Sequence, residues 1–147
     1  MANLASRGLV LPPGDVRVDA YGDTVELSRE LLDLIIRGKK RAGTSLLWAV
    51  EADDECLAKA GDIEIVVDHC NVPALITRIT RVDVVAFDEV DAAYALAEGE
   101  GDGSLDHWRR SHWEFFLREC ARIGRVPDAR MPVVCSVFEL LNVVPTA

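Results

Sequence analysis

The order of the strand-like segments is the feature that most constrains the fold. Four segments are rich in β-branched and aromatic residues and are bounded by turn-forming residues, a pattern typical of strands: 44–51, 62–68, 72–87 and 133–144. Strands that follow one another, rather than alternating with helices, favour an α+β fold with an antiparallel sheet or small mixed β-barrel over a doubly wound sheet.

Hydrophobic periodicity predicts three helices around these strands. The first spans about 25–37, with Thr24 able to cap its start. Two more lie between the last two strand segments: a short helix capped by Asp88 and ending near residue 97, and a longer one over about 105–123. His112 lies on the apolar stripe of the longer helix and is therefore predicted to be a core residue.

Composition and charge limit the class of protein. Half of the 147 residues are hydrophobic, enough for one core, and we expect an irregular N-terminal arm (1–20) followed by a single domain (21–147). No run of 18 or more apolar residues and no targeting pattern is visible, so a soluble, cytoplasmic protein without membrane contact is expected. The four cysteines form no C-x-x-C pair, which favours reduced, mostly buried thiols. A formal charge of −9 argues against binding along extended duplex DNA.

The segment AEGEGDGSLDHW places three acids at alternate positions between glycines. A calcium loop needs a bidentate glutamate at its twelfth position, where this chain has Arg109, so the pattern disfavours calcium. A connection between two helices explains Asp102 and Ser104 as caps. It leaves Glu98 and Glu100 open to two interpretations, as solvated surface acids or as catalytic carboxylates.

The segment GKKRAGTSL carries the other candidate chemistry. Its cations follow a predicted helix, where they stabilise the negative end of the helix dipole, and it lacks the glycine spacing of a Walker motif. If a lysine from this segment and a carboxylate from the acidic segment met in a cleft, each would perturb the pKa of the other. Such a pair can transfer protons.

Together these segments resemble the ASCH domains, relatives of the PUA-like RNA-associated folds. The resemblance runs from about Tyr21 to Val144 and is carried by YGD, TVELSRELLDLIIRGKKRA, GDIEIVV, FDEVDAAYALAEGEGDGSLDHWRRSHWEFF and MPVVCSVFEL. It implies a small β-barrel with helices around it and a cleft in which the GKK loop faces the acidic segment. It also implies one of three activities: cleavage of single-stranded RNA, hydrolysis of the acetyl amide of a modified cytidine, or binding of RNA or a nucleoside without chemistry.

The amide-hydrolysing pattern of this family uses a lysine, a threonine three residues later and a glutamate. The resemblance implies Lys40 as the lysine and Glu100 as the glutamate, but the threonine position holds Gly43. Along a strand, Thr44 points to the side opposite residue 43, and Ser45 lies roughly 6 to 7 Å beyond it. Either hydroxyl is therefore expected to need a local bulge to replace the missing one.

Our first hypothesis is an RNA hydrolase in which Lys40 stabilises a phosphorane, or acts as a base if its pKa is lowered, and Glu100 moves the proton. The alternatives are an amidohydrolase for an acetylated cytidine nucleoside and a non-catalytic RNA or nucleoside-binding module. The catalytic candidates are Lys40, Glu100, Ser45 and Thr44. The substrate-binding candidates, which include arginines for phosphates and aromatic rings for bases, are Tyr21, Arg41, Trp48, Arg78, Glu98, Asp102, Ser104 and Arg109.

No cofactor and no structural metal are predicted, and the expected partner is single-stranded RNA or a modified nucleoside. His107 and His112 are five residues apart, which turns their side chains about 140° from each other around a helix and makes joint ligation of one ion difficult. A transient divalent cation held by Glu98, Glu100 and Asp102 stays open.

Overall fold

The computed structural model describes residues 10–145, so residues 1–9 of the predicted arm lie outside it. In chain order its elements are β1 (Val16–Ala20), α1 (Val25–Ile36), β2 (Ala42–Leu46), α2 (Leu47–Ala52), β3 (Ile63–Val67), β4 (Pro73–Ala86), a 3-10 turn (Phe87–Glu89), α3 (Ala92–Glu98), α4 (Leu105–Ile123) and β5 (Pro132–Val143).

The five strands form one mixed sheet in the order β1-β3-β4-β5-β2. Only the β1–β3 pair is parallel; the others are antiparallel. The long strands β4 and β5 pair along most of their length, and their register shifts twice, between Ile76 and Thr77 and between Ile79 and Arg81. Such irregularities bend a strand, and the sheet curls into a half-barrel. The predicted α+β fold, a small mixed or antiparallel β-barrel with helices around it, is confirmed, and the barrel is a five-stranded half-barrel with four helices.

A cluster of aromatic rings joins α4 to the sheet and to the turn after β4. Trp108 stacks on Phe87 with 5.4 Å between ring centroids, and Phe116 meets Phe87 edge-on at 6.1 Å. All three side chains are buried. Truncating a buried ring such as Phe116 to alanine costs about 3–5 kcal/mol. These contacts fix the position of α4 and of the acidic segment just before it.

The predicted helices and the last three strands agree with the structure within a few residues, and α4 begins and ends at the expected positions. The predicted strand 44–51 is wrong in its second half, where Leu47–Ala52 forms α2. The sequence LWAVEA contains good helix formers and no glycine or proline, and Ala49 on this helix is buried in the core. Hydrophobicity alone did not separate a short buried helix from a strand.

Two further predictions need correction. The end of the predicted irregular arm forms β1, an edge strand whose residues alternate between exposed and half-buried. The short helix α3 begins at Ala92 and is capped by Asp91, whose side chain accepts a hydrogen bond from the backbone of Tyr94. Asp88 is not a cap; it lies in the 3-10 turn, 3.0 Å from the guanidinium of Arg130.

Candidate active site

The basic and acidic segments meet because two tight turns pack against each other. After α1, the backbone N–H groups of Lys39 and Lys40 both donate to the carbonyl of Leu34, which turns the chain sharply. The acidic segment approaches this turn so closely that a side chain at Gly99 would collide with the carbonyl of Lys39. Gly99 also has a φ of +68°, which favours glycine. At least one glycine of the acidic segment is therefore explained by the close contact of the two turns.

The side chain of Lys40 points inward from this turn and is 2% exposed. Its ammonium donates to the carbonyl of Ala42 at 2.6 Å, to Oε1 of Glu98, and to Oε2 of Glu100 at 3.0 Å. An ammonium has three protons, so all of its donors are used.

Glu98, 1% exposed, is the central acceptor of the site. Its Oε2 lies 2.5 Å from the Thr44 hydroxyl, 3.2 Å from Nε1 of Trp108 and 3.1 Å from Nε2 of His112. The His112 ring stacks on the Trp108 indole, with centroids 4.3 Å apart. We call Lys40, Thr44, Glu98, Glu100 and His112 the Lys40 cluster.

Burial and charge set the protonation states of the two glutamates apart. Burial by itself raises the pKa of Glu98, but the Lys40 ammonium and the His112 hydrogen bond outweigh it, and the pKa of Glu98 is lowered. Burial also dominates at Glu100, where the nearby Glu98 charge adds to it, and the pKa of Glu100 is raised despite Lys40. Two neighbouring carboxyl groups with divergent pKa values are a common arrangement for acid–base chemistry.

The pKa of Lys40 is raised. Burial lowers it, but the charges of Glu98 and Glu100 outweigh burial. Lys40 is therefore an ammonium at neutral pH, and the condition under which it would act as a base, a lowered pKa, is not met.

The Lys40 cluster borders a cavity of about 690 Å³, which we call the cleft. This volume is within the range of small-molecule sites, roughly 300–1,000 Å³. Nine carboxyl groups line the cleft, against three basic side chains: Asp19, Asp23, Glu30, Asp53, Glu55, Glu64, Glu98, Glu100 and Glu119 against Arg17, Lys40 and Arg118. The surroundings of a bound ligand are thus predominantly acidic.

A second carboxyl pair, Asp19 and Glu64, lines the same cleft and is called the Glu64 pair. Glu64 is buried on β3 and accepts a hydrogen bond from Thr77 at 3.0 Å. Burial and the adjacent Asp19 raise the pKa of Glu64 to about 9. Glu64 is therefore a neutral carboxylic acid at pH 7.

The predicted meeting of Lys40 and Glu100 in a shared cleft is present in the structure, although their catalytic roles stay predictions. Thr44 reaches a carboxylate too, but that of Glu98, and the pairing of β2 with β5 is regular. Thr44 thus bonds Glu98 without a bulge, and the need for a bulge to replace the missing threonine hydroxyl stays a prediction. Ser45 is exposed and lines the cleft without joining the hydrogen bonds of the cluster within the described residues.

The remaining substrate-binding candidates divide into those at the cleft and those away from it. Tyr21 and Glu98 line the cleft. Ser104 caps α4, as the helix-connection interpretation predicted, and Asp102 accepts a hydrogen bond from the backbone N–H of Ser104. Trp48 lies under the guanidinium of Arg125. Trp48, Asp102 and Ser104 do not line the cleft. The three candidates for phosphate binding do not line it either: Arg41, Arg78 and Arg109.

Sequence reasoning missed three contributors to the site: Tyr94, Trp108 and His112. His112 is buried as predicted, but its ring contacts Glu98 rather than only packing in the core. The Tyr94 hydroxyl donates to the carbonyl of Gly43 at 2.8 Å, and it lies 2.9 Å from the hydroxyl of Thr44. The spacing of Trp108 and His112 by four residues, which puts two polar ring N–H groups on one apolar stripe, is the signal that could have identified them.

Within residues 10–145, Glu98, Glu100 and His112 form a group whose ligand atoms lie within 4.8 Å of one another and could hold a metal ion. The ligand set considered from the sequence needs correction, because Asp102 accepts a hydrogen bond from the backbone N–H of Ser104 and His112 takes its place. The Lys40 ammonium already bridges the two carboxylates, so a metal ion would have to displace it. The chain thus provides its own cation for this carboxylate pair.

The comparisons with known proteins agree with this fold. The sequence profile of the ASCH domain matches residues 17–142. The ASCH domain from Lactobacillus crispatus JV V101 is 31% identical, with a TM-score of 0.80 over 86% of this chain and 79% of that one. A protein from Enterococcus faecalis V583 is also 31% identical, with a TM-score of 0.80 over 96% of this chain and 84% of that one.

No curated protein matches the chain. Among the described residues, none of the helices combines the length and the apolar character needed to cross a membrane. The profile match and the two similar structures show that the chain belongs to the ASCH-domain family, which is RNA-associated.

Proposed function

We propose that the protein is an amidohydrolase that removes the acetyl group from an acetylated cytidine nucleoside. The observation that carries this proposal is the buried Lys40 ammonium held between Glu98 and Glu100 at the wall of a nucleoside-sized, acidic cleft. The pattern of a lysine and a glutamate is the one that the amide-hydrolysing members of the family use.

The charge of the cleft supports a small, neutral substrate. An acetylated cytidine nucleoside has no phosphate, whereas a single-stranded RNA brings one negative charge per nucleotide. Although Glu64 is neutral, the other eight carboxyl groups outnumber the three lysine and arginine side chains of the cleft and disfavour such a polyanion. A nucleoside needs only one pocket, and about 690 Å³ is sufficient for it.

Glu100 is the group best suited to move the proton. It is one-fifth exposed, it lines the cleft, and its raised pKa brings it closer to neutral pH than an ordinary glutamate. In the proposed reaction, ionised Glu100 removes a proton from a water molecule as the water oxygen bonds to the acyl carbon. The C–N bond then breaks, the Glu100 proton goes to the departing nitrogen, and the products are cytidine and acetic acid, which releases its proton to solvent to become acetate.

Lys40 and Glu98 support this step without being the base. When Glu100 takes the proton, it becomes a weaker acceptor, and one N–H of Lys40 is released toward the negative charge that develops on the acyl oxygen. Glu98 stays ionised and holds both neighbours in place, because its Oε1 accepts a hydrogen bond from Lys40 and its Oε2 accepts one from Thr44.

RNA cleavage, our first hypothesis from the sequence, has less support. It assigned the phosphates to Arg41, Arg78 and Arg109. Arg78 is paired with Glu139 at 2.9 Å, and none of the three lines the cleft. Because nine carboxyl groups outnumber the three lysine and arginine side chains of the cleft, a pentavalent phosphorane would carry its charge in predominantly acidic surroundings, which is unfavourable.

The test is a direct competition between substrates. The purified protein is incubated with N4-acetylcytidine and, separately, with a single-stranded RNA oligonucleotide, and the products are separated by liquid chromatography. We expect cytidine and acetate in equal amounts, with loss of at least a hundredfold in rate for Glu100→Gln. The matched control is Glu114→Gln, an exposed carboxyl on α4 that does not line the cleft.

Two outcomes would contradict the proposal. Shortening of the oligonucleotide with intact acetylcytidine would establish the ribonuclease. Binding of either ligand without any product would establish a non-catalytic binding module.

A further inference from the structure

The Lys40 cluster leaves few hydrogen-bond donors for a ligand. The three protons of Lys40, the indole N–H of Trp108 and the hydroxyl of Thr44 are all directed to acceptors of the protein. The Tyr94 hydroxyl donates to the carbonyl of Gly43. An acyl oxygen that becomes negative in the cleft needs at least one donor that is free when the substrate arrives.

Tyr21 provides such a donor. Its ring lines the cleft, and its hydroxyl has no hydrogen-bond partner among residues 10–145. The Lys40 ammonium lies 5.5 Å from the centre of the ring, and the Phe138 ring packs at 6.2 Å from it. The phenol is therefore held beside the cluster by packing, with its polar atom available.

The position of Tyr21 relates directly to the missing threonine. A Cβ atom added at Gly43 would lie 3.0 Å from Cε1 of Tyr21 and 3.4 Å from its hydroxyl oxygen. At 3.0 Å the tyrosine ring would have to shift by a few tenths of an ångström to admit a side chain at position 43. The glycine and the tyrosine are thus sterically coupled, and the phenol oxygen lies next to the place of the family's threonine hydroxyl.

We propose that Tyr21 is a catalytic residue of this protein and that its phenol replaces the family's threonine hydroxyl by donating a hydrogen bond to the acyl oxygen of the substrate. The inference rests on the proposed amidohydrolase function and specifies how this chain carries it out with glycine at position 43. No bond to Tyr21 forms or breaks, since its proton stays on the phenol throughout.

The environment keeps this phenol protonated. Burial and the charges of Glu64, Asp19 and Glu98 raise the pKa of Tyr21 well above its usual value. A phenol that does not ionise is a poor nucleophile and a permanent donor. It therefore serves transition-state stabilisation rather than covalent catalysis.

The test compares the wild type with Tyr21→Phe, Gly43→Thr and the double variant Tyr21→Leu/Gly43→Thr, which lacks the ring atom that a side chain at position 43 would meet. The measurements are kcat and KM for N4-acetylcytidine and cytidine binding by calorimetry. Loss of one oxyanion donor lowers kcat by roughly 10²–10³-fold, so we expect that loss for Tyr21→Phe with KM changed by less than about threefold. The double variant has a threonine hydroxyl at position 43 in place of the Tyr21 phenol, and its kcat is expected to be at least about tenfold higher than that of Tyr21→Phe. Gly43→Thr alone displaces the tyrosine ring and is expected to lower kcat.

The outcomes separate this inference from the function on which it rests. Wild-type turnover with an unchanged kcat for Tyr21→Phe contradicts the role of Tyr21 and leaves the amidohydrolase standing. Equal losses in Tyr21→Phe and the double variant contradict the replacement of the threonine. A wild type that neither hydrolyses acetylcytidine nor binds cytidine contradicts the proposed function, and the role of Tyr21 is then rejected with it.

Discussion

Two pairs of carboxyl groups line the same cleft, and the protein neutralises them in different ways. Glu98 and Glu100 share the ammonium of Lys40, which comes from a turn distant in sequence. Glu64 lies beside Asp19, and its proton takes the place of a cation. The nearest base to this second pair is Arg17, whose Nε is 3.6 Å from Asp19 and makes no hydrogen bond within the described residues.

The difference determines how each pair responds to pH. A lysine ammonium with a raised pKa stays charged across the neutral range, so Glu98 stays ionised and the geometry around it is constant. Glu64, whose pKa is raised to about 9, loses its proton only near that pH. The Lys40 ammonium keeps the hydrogen bonds of Glu98 and Glu100 constant with pH. The proton on Glu64 keeps that carboxyl group uncharged in the neutral range.

Replacing Lys40, the cation of the Glu98 and Glu100 pair, should have the largest effect on thermal stability. In Lys40→Met two carboxyl groups lose their counter-charge, one of them almost completely buried, and breaking such a buried pair costs about 3–5 kcal/mol. We expect Tm to fall by roughly 10 °C in calorimetry. The matched control is Lys39→Met at the exposed neighbouring lysine. Equal Tm values for the two variants would show that the buried ion pair does not stabilise the fold.

Removing the titrating acid from the second pair should have the next largest effect, and only at higher pH. The pKa of Glu64 is raised in the folded state to about 9, so the folded protein binds more protons than the unfolded chain between the two pKa values. Wild-type stability is therefore lost as pH rises from about 4.5 to about 9.

The measurement is the difference in unfolding free energy between Glu64→Gln and wild type in urea at several pH values. The difference should shift in favour of the variant by about 4 kcal/mol between pH 5 and pH 8. A difference that is constant with pH would show that Glu64 is ionised in the folded protein and that the two pairs are not neutralised differently.

The third prediction separates catalysis from stability in the first pair. Glu100→Gln keeps the Lys40–Glu98 contact, so Tm should change little while kcat for the proposed deacetylation falls about a hundredfold, or about 2.7 kcal/mol. In wild type the rate should rise with pH through a pKa above that of an ordinary glutamate, since Glu100 must be ionised to accept the proton. A pH–rate profile of the same shape in Glu100→Gln would contradict this role.

The smallest expected effect comes from the hydroxyl that bonds Glu98. Thr44→Val removes one hydrogen bond to a carboxylate that keeps those from Lys40, Trp108 and His112, so we expect a loss of about 1–2 kcal/mol in stability. Ser45→Ala, at the exposed neighbouring hydroxyl, is the matched control and should change the unfolding free energy by less than about 0.5 kcal/mol. If both substitutions are neutral, Thr44 does not support the cluster.

Much of this arrangement could be predicted from the sequence, because its signals are local. The end of α1 near Gly38, the cap at Ser104 and the extent of α4 follow from helix spacing and capping residues. The meeting of Lys40 with the acidic segment followed from the resemblance to a family and from the unexplained carboxylates.

The rest depends on contacts between distant segments. β1 has five residues and pairs with β3, and an apolar–polar alternation as short as VRVDA does not predict a strand without that partner. Which glutamate lies at the centre could not be chosen from spacing, because Glu98 is selected by Trp108 and His112 on another helix. The contact between Tyr21 and position 43 likewise appears only once β2 is in place.

The charge on Lys40 is the property on which the whole account depends, and nuclear magnetic resonance of its Nζ and Cε atoms, assigned by comparison with Lys40→Met, measures it directly. We predict that Lys40 remains an ammonium from pH 6 to pH 10 and releases its proton only above the range of ordinary lysines. A neutral amine at pH 7 to 8 would contradict the account, since Glu98 and Glu100 would then lack their cation and Lys40 would be the base of the reaction.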